Sequence, residues 1–132
     1  MAHPLVHEDH TTPFLLEGGQ VRGRIVRMNE VASVILGRYD YPLPVVRLLG
    51  ELLATAALLA SNLKAGGILT IQIRGGRVLP LVVVDAAQGG MLRGYAEVPP
   101  DSVALIEQQE SSSLASLVGE GAHLAVTLDP GA

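Results

Sequence analysis

The chain has 132 residues, 48% of them apolar and 17% charged, with a net charge of −4 and a single lysine, Lys64. This composition excludes a disordered chain and gives phosphate-backbone binding little electrostatic support, while the length suits one core burying about two-thirds of the unfolded surface. Cysteine is absent, which fits a reducing cytoplasm and equally any compartment where disulfides are not used.

Residues 1–12 are polar and unpatterned and are expected to form a disordered tail ahead of one domain over residues 13–132. Gly18-Gly19 marks a turn, and Gln20 to Met28 reads as the first strand, with Val21, Gly23 and Ile25 on one face. Asn29 is placed to cap a short helix, because its side-chain oxygen can accept from a free first-turn N–H. Val31, Val34 and Ile35 supply the packing face of that helix, and Gly37 ends it.

The next element is the most telling. A long helix is predicted to start near Pro42 to Pro44, where proline's missing N–H costs nothing, and to stop at Gly66-Gly67. Arg47, Glu51, Thr55 and Asn62 fall on one narrow stripe, with Arg47 and Glu51 spaced to form an ion pair. Leu48, Leu49, Leu52, Leu53, Ala56, Ala57, Leu59, Ala60 and Leu63 sweep roughly 200° of the remaining circumference, well beyond the ~100° of a surface helix. Such a helix needs cover on two sides. Its most apolar run, Leu52 to Ala60, is about half the ~20 residues of a membrane span, and Met1 to Thr12 has no basic region leading an apolar stretch. A soluble, cytoplasmic protein is the expectation, with no membrane partner.

Leu69, Ile71 and Ile73 then alternate with Thr70, Gln72 and Arg74, the period of a strand covered on one face. Gly75-Gly76 signals a tight hairpin. Val78 to Val84 is apolar at nearly every position and is expected to be covered on both faces, with Pro80 pointing to an edge or a bulge. Gln88-Gly89-Gly90 turns the chain into a third strand, Met91 to Val98. Pro99-Pro100-Asp101 opens a polar helical stretch, Ser112 is placed to cap Ser113 to Val118, and His123 to Leu128 is the last strand. The layout is α+β with antiparallel pairing.

Catalytic and ligand-binding signals are weak. His3, His7 and His10 have metal-compatible spacings on a helix, but His3-Pro4 and the lack of periodicity argue for a solvated tail; His123, at the start of a strand, reads as structural. Gly66-Gly67, Gly75-Gly76 and Gly89-Gly90 all precede strands, whereas phosphate loops need a following helix N-terminus. The glycines in Arg22-Gly23-Arg24 and Arg93-Gly94-Tyr95 are expected to let a neighbouring group approach closely, with the arginines solvated or paired with acids such as Glu97. No nucleophile, base and orienter stand in register, so no catalytic residue and no cofactor or metal ligand is assigned. Apolar surface is what remains.

The order of several short motifs resembles a known family. V-R-G-R-I-V at Val21 to Val26, Y-P-x-P-V at Tyr41 to Val45, L-L-G-E at Leu48 to Glu51, N-L-K-x-G-G at Asn62 to Gly67 and L-R-G-Y-A at Leu92 to Ala96 resemble the N-terminal domain of the 33 kDa chaperonins, redox-regulated bacterial heat-shock holdases. A weaker match runs from Leu117 to Leu128. The resemblance implies central apolar helices packed between two antiparallel β-sheets. It also implies an ATP-independent holdase that binds unfolded client proteins through apolar surface, without nucleic acid, and forms a homodimer. The apolar excess in the predicted strands makes Leu69, Ile71, Ile73, Leu81 and Val83 the candidate client or dimer contacts. The family's zinc module needs four cysteines that these residues lack, so any activity here is expected to be independent of a thiol switch. Family members usually carry a Gly-x-Gly-Pro turn after the first meander strand, where this chain has Gly75-Gly76-Arg77-Val78. The residues fit either a fragment of a longer protein or a natural short relative, and the end on Asp129-Pro130-Gly131-Ala132 favours a domain incomplete at its C-terminal side. The rival to a holdase is therefore a dimerisation or structural fragment that holds no clients.

Overall fold

The computed structural model describes residues 9–109 and 113–131. Two strands open the chain, β1 (His10–Leu15) and β2 (Arg22–Arg27), paired antiparallel across the Gly18-Gly19 turn. Both turn glycines have positive φ, 91° and 68°, which glycine alone adopts without steric cost. Helix α1 (Glu30–Leu36) and the long α2 (Leu43–Ala60) follow. Then come the strands β3 (Ile68–Arg74), β4 (Leu81–Ala87) and β5 (Leu92–Glu97), the short helices α3 (Ser102–Glu107) and α4 (Leu114–Val118), and β6 (His123–Asp129). The second sheet is antiparallel throughout, in the order β5-β4-β3-β6.

The core lies between α2 and this four-stranded sheet. Leu69, Ile71 and Ile73 sit opposite Ala86, Val84 and Val82, and because directly opposed residues share a face, all six turn toward α2. From the helix, Val45, Leu49, Leu53 and Ala56 are fully buried against them, and Ile106 of α3 and Leu117 of α4 are sealed in as well. Each large side chain buried in this way contributes roughly 1.5–3 kcal/mol. Gly94 lets the layers close: a Cβ there would stand 3.1 Å from Leu53 Cδ2 and 3.3 Å from Ile35 Cγ2. On its other flanks α2 meets β2, α1, α3 and α4. By length and composition alone α2 is apolar enough to cross a membrane, with a mean hydropathy of 1.8, but here it is the core helix of the domain.

Several sequence expectations need correction. Residues 10–12, expected in the tail, belong to β1; the earlier part of that tail lies outside the described residues. Helix α2 ends at Ala60, well before Gly66-Gly67, because the Ser61 hydroxyl donates to the Leu58 carbonyl and the chain tightens into short turns, Asn62 N–H to Leu59 O and Leu63 N–H to Ala60 O. Leu59, placed on the buried arc, falls on the open stripe and is exposed. Arg47 and Glu51 form no ion pair; the one salt bridge among the described residues joins Arg93 to Asp85 at 2.8 Å, not to Glu97.

The β3–β4 connection is a packed loop over residues 75–80 rather than a tight hairpin. The Gly75 N–H donates to Pro80 O, the Val78 N–H donates to Val118 O, and Leu79 is fully buried. Pro80 therefore precedes β4, which is an interior strand with no bulge to explain, and β4's outer residues are only half-covered. Asn29 makes no side-chain cap to α1. Instead the Asp9 carboxylate accepts from the Asn29 N–H and, at 3.2 Å, from the Val31 N–H. Ser113 caps α4, accepting from the Ser116 N–H at 3.2 Å, whereas Ser112 lies outside the described residues.

Candidate functional site

The five candidate contact residues do not share a surface. Leu69, Ile71 and Ile73 are core, exposed by only 5%, 4% and 2%. The alternation that marked their strand sends Thr70, Gln72 and Arg74 outward instead. Leu81 and Val83 do reach the outer face, half-buried beside Arg74, Gln72, Tyr95 and Glu97. That face also holds a polar clasp: Thr70 Oγ1 donates to one Asp85 oxygen at 2.5 Å and Arg93 donates to the other at 2.8 Å. It is a mixed surface, not an apolar one.

The more apolar surface is built by the hairpin. Phe14, Leu15 and Leu16 before the turn and Val21 and Ile25 after it are exposed, and exposed Leu59 of α2 shares a cavity with Phe14 and Leu15. A cavity of about 790 Å³ opens between the two elements, lined by Pro13, Phe14, Leu15, Leu58 and Leu59, with Arg22 and Arg24 contributing charge. Phe14 lies over Gly23, where a Cβ would come within 2.2 Å of its ring, so the glycine makes room for a side chain as the sequence suggested. The sequence signal for this surface was the run Phe14-Leu15-Leu16 directly before the Gly18-Gly19 turn. A strand was expected only after that turn.

A second groove, about 850 Å³, runs between α1 and the β5 edge and is lined by Val31, Val34, Leu92, Tyr39, Tyr95 and Val83, among others. Tyr39 packs against both Tyr41 and Tyr95, with ring centroids 5.6 and 5.4 Å apart. The Tyr41 hydroxyl accepts from the Ala96 N–H at 3.2 Å. Burial pushes the Tyr41 phenol above its ordinary value of 10.0; the hydrogen bond from Ala96 opposes this, and its tyrosine neighbours add to it.

Among the described residues no group of three or more His, Asp or Glu side chains stands close enough to hold a metal ion. His10 and His123 are exposed on strands, while His3 and His7 lie outside the described residues. The zinc that the family resemblance implies does not fit the residues present, since the chain has no cysteine.

Fold and surface together define an α+β domain of two antiparallel sheets with a core helix and an exposed apolar hairpin. The sequence model of the Hsp33 protein family matches residues 9–132, and the chain belongs to that family. It is 40% identical to the 33 kDa chaperonin of Caulobacter vibrioides over 96% of its own length and 42% of that protein's. Against the 33 kDa chaperonin of Pseudomonas aeruginosa the identity is 35%, over 94% of this chain and 40% of the relative. The chain thus spans about two-fifths of the curated relatives it matches. The crystal structure of the 33 kDa chaperonin from Thermotoga maritima superimposes with a TM-score of 0.67 at 23% identity, covering 94% of this chain and 46% of that one, which is a likeness of fold.

Proposed function

We propose that the chain is a chaperone domain of the holdase type, binding unfolded polypeptides through apolar surface in the cytoplasm without ATP, nucleic acid or membrane. The observation that carries this reading is the cavity where Phe14, Leu15 and Leu59 stand exposed, with Leu16, Val21 and Ile25 exposed elsewhere on the same hairpin, in a chain whose relatives are named chaperonins. Leu81 and Val83 on the outer sheet face are a lesser contact region. The mechanism needs no covalent step. Apolar client segments lose water against apolar protein at about 25 cal/mol per Å², and the modest net affinity left after ordering costs suits reversible holding. Self-association as a homodimer belongs to the same proposal.

The test is light scattering from a thermally unfolding client at equimolar ratio. Aggregation should be suppressed without nucleotide, and to the same extent in reductant and in peroxide, because no thiol is present to oxidise. Absence of suppression would leave the chain a structural or dimerisation unit. A large gain on peroxide treatment would overturn the claim that activity here is independent of a redox switch.

A further inference from the structure

The chain has three tyrosines and no cysteine or tryptophan, and the fold gathers all three tyrosines into one cluster. Tyr39, between α1 and α2, packs on Tyr41 at a centroid distance of 5.6 Å with the rings tilted by 50°. It also packs on Tyr95 of β5 at 5.4 Å, with the rings at 70°, edge to face. Both are separations of favourable ring pairs. The two neighbours of Tyr39 differ, however. The Tyr41 hydroxyl is engaged by the Ala96 N–H, its ring is partly buried, and burial makes its phenol hold the proton more tightly. Tyr39 and Tyr95 are 51% and 38% exposed, and both line the groove beside α1, which Tyr41 does not.

We propose that Tyr39 and Tyr95 form an oxidative cross-linking site, at which a one-electron oxidant of the peroxidase class joins the two rings as dityrosine within one chain. Each phenol gives up one electron and its hydroxyl proton, and the two phenoxyl radicals form a carbon–carbon bond between ring positions beside the hydroxyls. The hydrogen on each of those carbons then shifts to the oxygen and restores the phenol. The net loss is two hydrogens per chain, taken up by one peroxide that becomes two waters. Without cysteine or tryptophan, these phenols are the side chains most readily oxidised one electron at a time, whereas methionine goes to its sulfoxide. Peroxide without such a catalyst does not take single electrons from phenols, so the comparison of reductant with peroxide for client holding is unaffected. The bond ties the α1–α2 connection to β5 and closes a loop that contains α2, β3 and β4. Such a link restricts the unfolded chain as a disulfide does. The inference rests on neither client binding nor self-association.

The test is treatment of the dilute native chain with peroxidase and hydrogen peroxide, read by dityrosine fluorescence and peptide mass. Trypsin cuts after Arg38, Arg47 and Arg93, so Tyr39 and Tyr41 share the peptide 39–47 while Tyr95 lies in the peptide 94–132. A bond from Tyr39 to Tyr95 therefore joins two peptides at a mass two hydrogens below their sum, whereas a bond from Tyr39 to Tyr41 stays within one. The joined pair should be the main product. Tyr39→Phe and Tyr95→Phe should each lose it, and Tyr41→Phe should keep it. The cross-linked chain should melt at least about 5 °C higher than the untreated one. The peptide masses come from the wild-type chain, so they decide the site even should a variant not fold. No dityrosine, a bond confined to the peptide 39–47, a bond only between two chains, or a product that survives Tyr95→Phe overturns the site. A joined chain whose melting temperature does not rise overturns its role as a brace.

Discussion

Helix α2 meets two neighbours of very different quality. Toward the four-stranded sheet it presents Leu49, Leu53 and Ala56, which are fully buried over Val82, Val84 and Gly94. Toward the hairpin it presents Leu58 and Leu59, and Leu59 stays exposed beside Phe14 and Leu15. The residues offered by the helix are alike on both sides. The difference lies in the partner layer, since four strands form a surface wide enough to cover a helix, whereas two strands are marginal as a layer and here carry Thr, Pro and Arg among their apolar residues. Apolar composition therefore decides stability on one side of α2 and leaves a contact surface on the other.

The sharpest way to break this comparison is Leu53→Asp. A carboxylate at a fully buried position with no partner cannot be accommodated, so the variant should lose soluble, cooperatively folded protein, read by soluble yield and circular dichroism. An unchanged thermal transition would show that the sheet side of α2 is not the core.

A smaller effect is expected for Tyr41→Phe, which removes the acceptor for the Ala96 N–H at the β5 edge. It should cost about 1 kcal/mol in denaturant unfolding. The variant also tests a pH dependence. Because burial raises the Tyr41 phenol above 10.0, the native state holds its proton where the unfolded chain has released it. This contribution is fully present below pH 10.0 and is lost as pH rises through the higher native value, so stability falls with pH in that window. Tyr41→Phe should flatten this part of the profile.

On the hairpin side, Ile25→Ser should change stability by no more than about 0.5 kcal/mol, since the side chain is already exposed, while reducing client protection in the light-scattering assay. Strong destabilisation would mean that the hairpin belongs to the core after all. Unchanged protection would move the client surface to the outer sheet face.

Much of the fold was legible in the sequence because the periods are clean. The wide apolar arc of α2, the alternation of Ile71 and Ile73 with Thr70 and Gln72, and the glycines before β3 and β5 placed the helix, the meander and its turns. Gly23 and Gly94 were correctly read as points of close approach. Strand β1 was not legible, because Pro13 and two threonines obscure its alternation and its pairing with β2 is fixed only in space. Three of the five candidate contact residues are buried for a different reason. The most apolar alternating face of a strand is the one a neighbouring helix covers, so Leu69, Ile71 and Ile73 were core by the same pattern that made them conspicuous.

The carboxylate of Asp9 at the start of α1 ties that helix to a distant part of the chain. Helix α1 has seven residues, too few to persist alone in water, and two of its first N–H donors wait for a side chain 20 to 22 positions earlier. That side chain immediately precedes β1, which is held by its pairing with β2. The start of helix α1 therefore depends on a side chain that the hairpin strand carries, and a chain shortened past Asp9 would lose the start of a helix it does not touch in sequence.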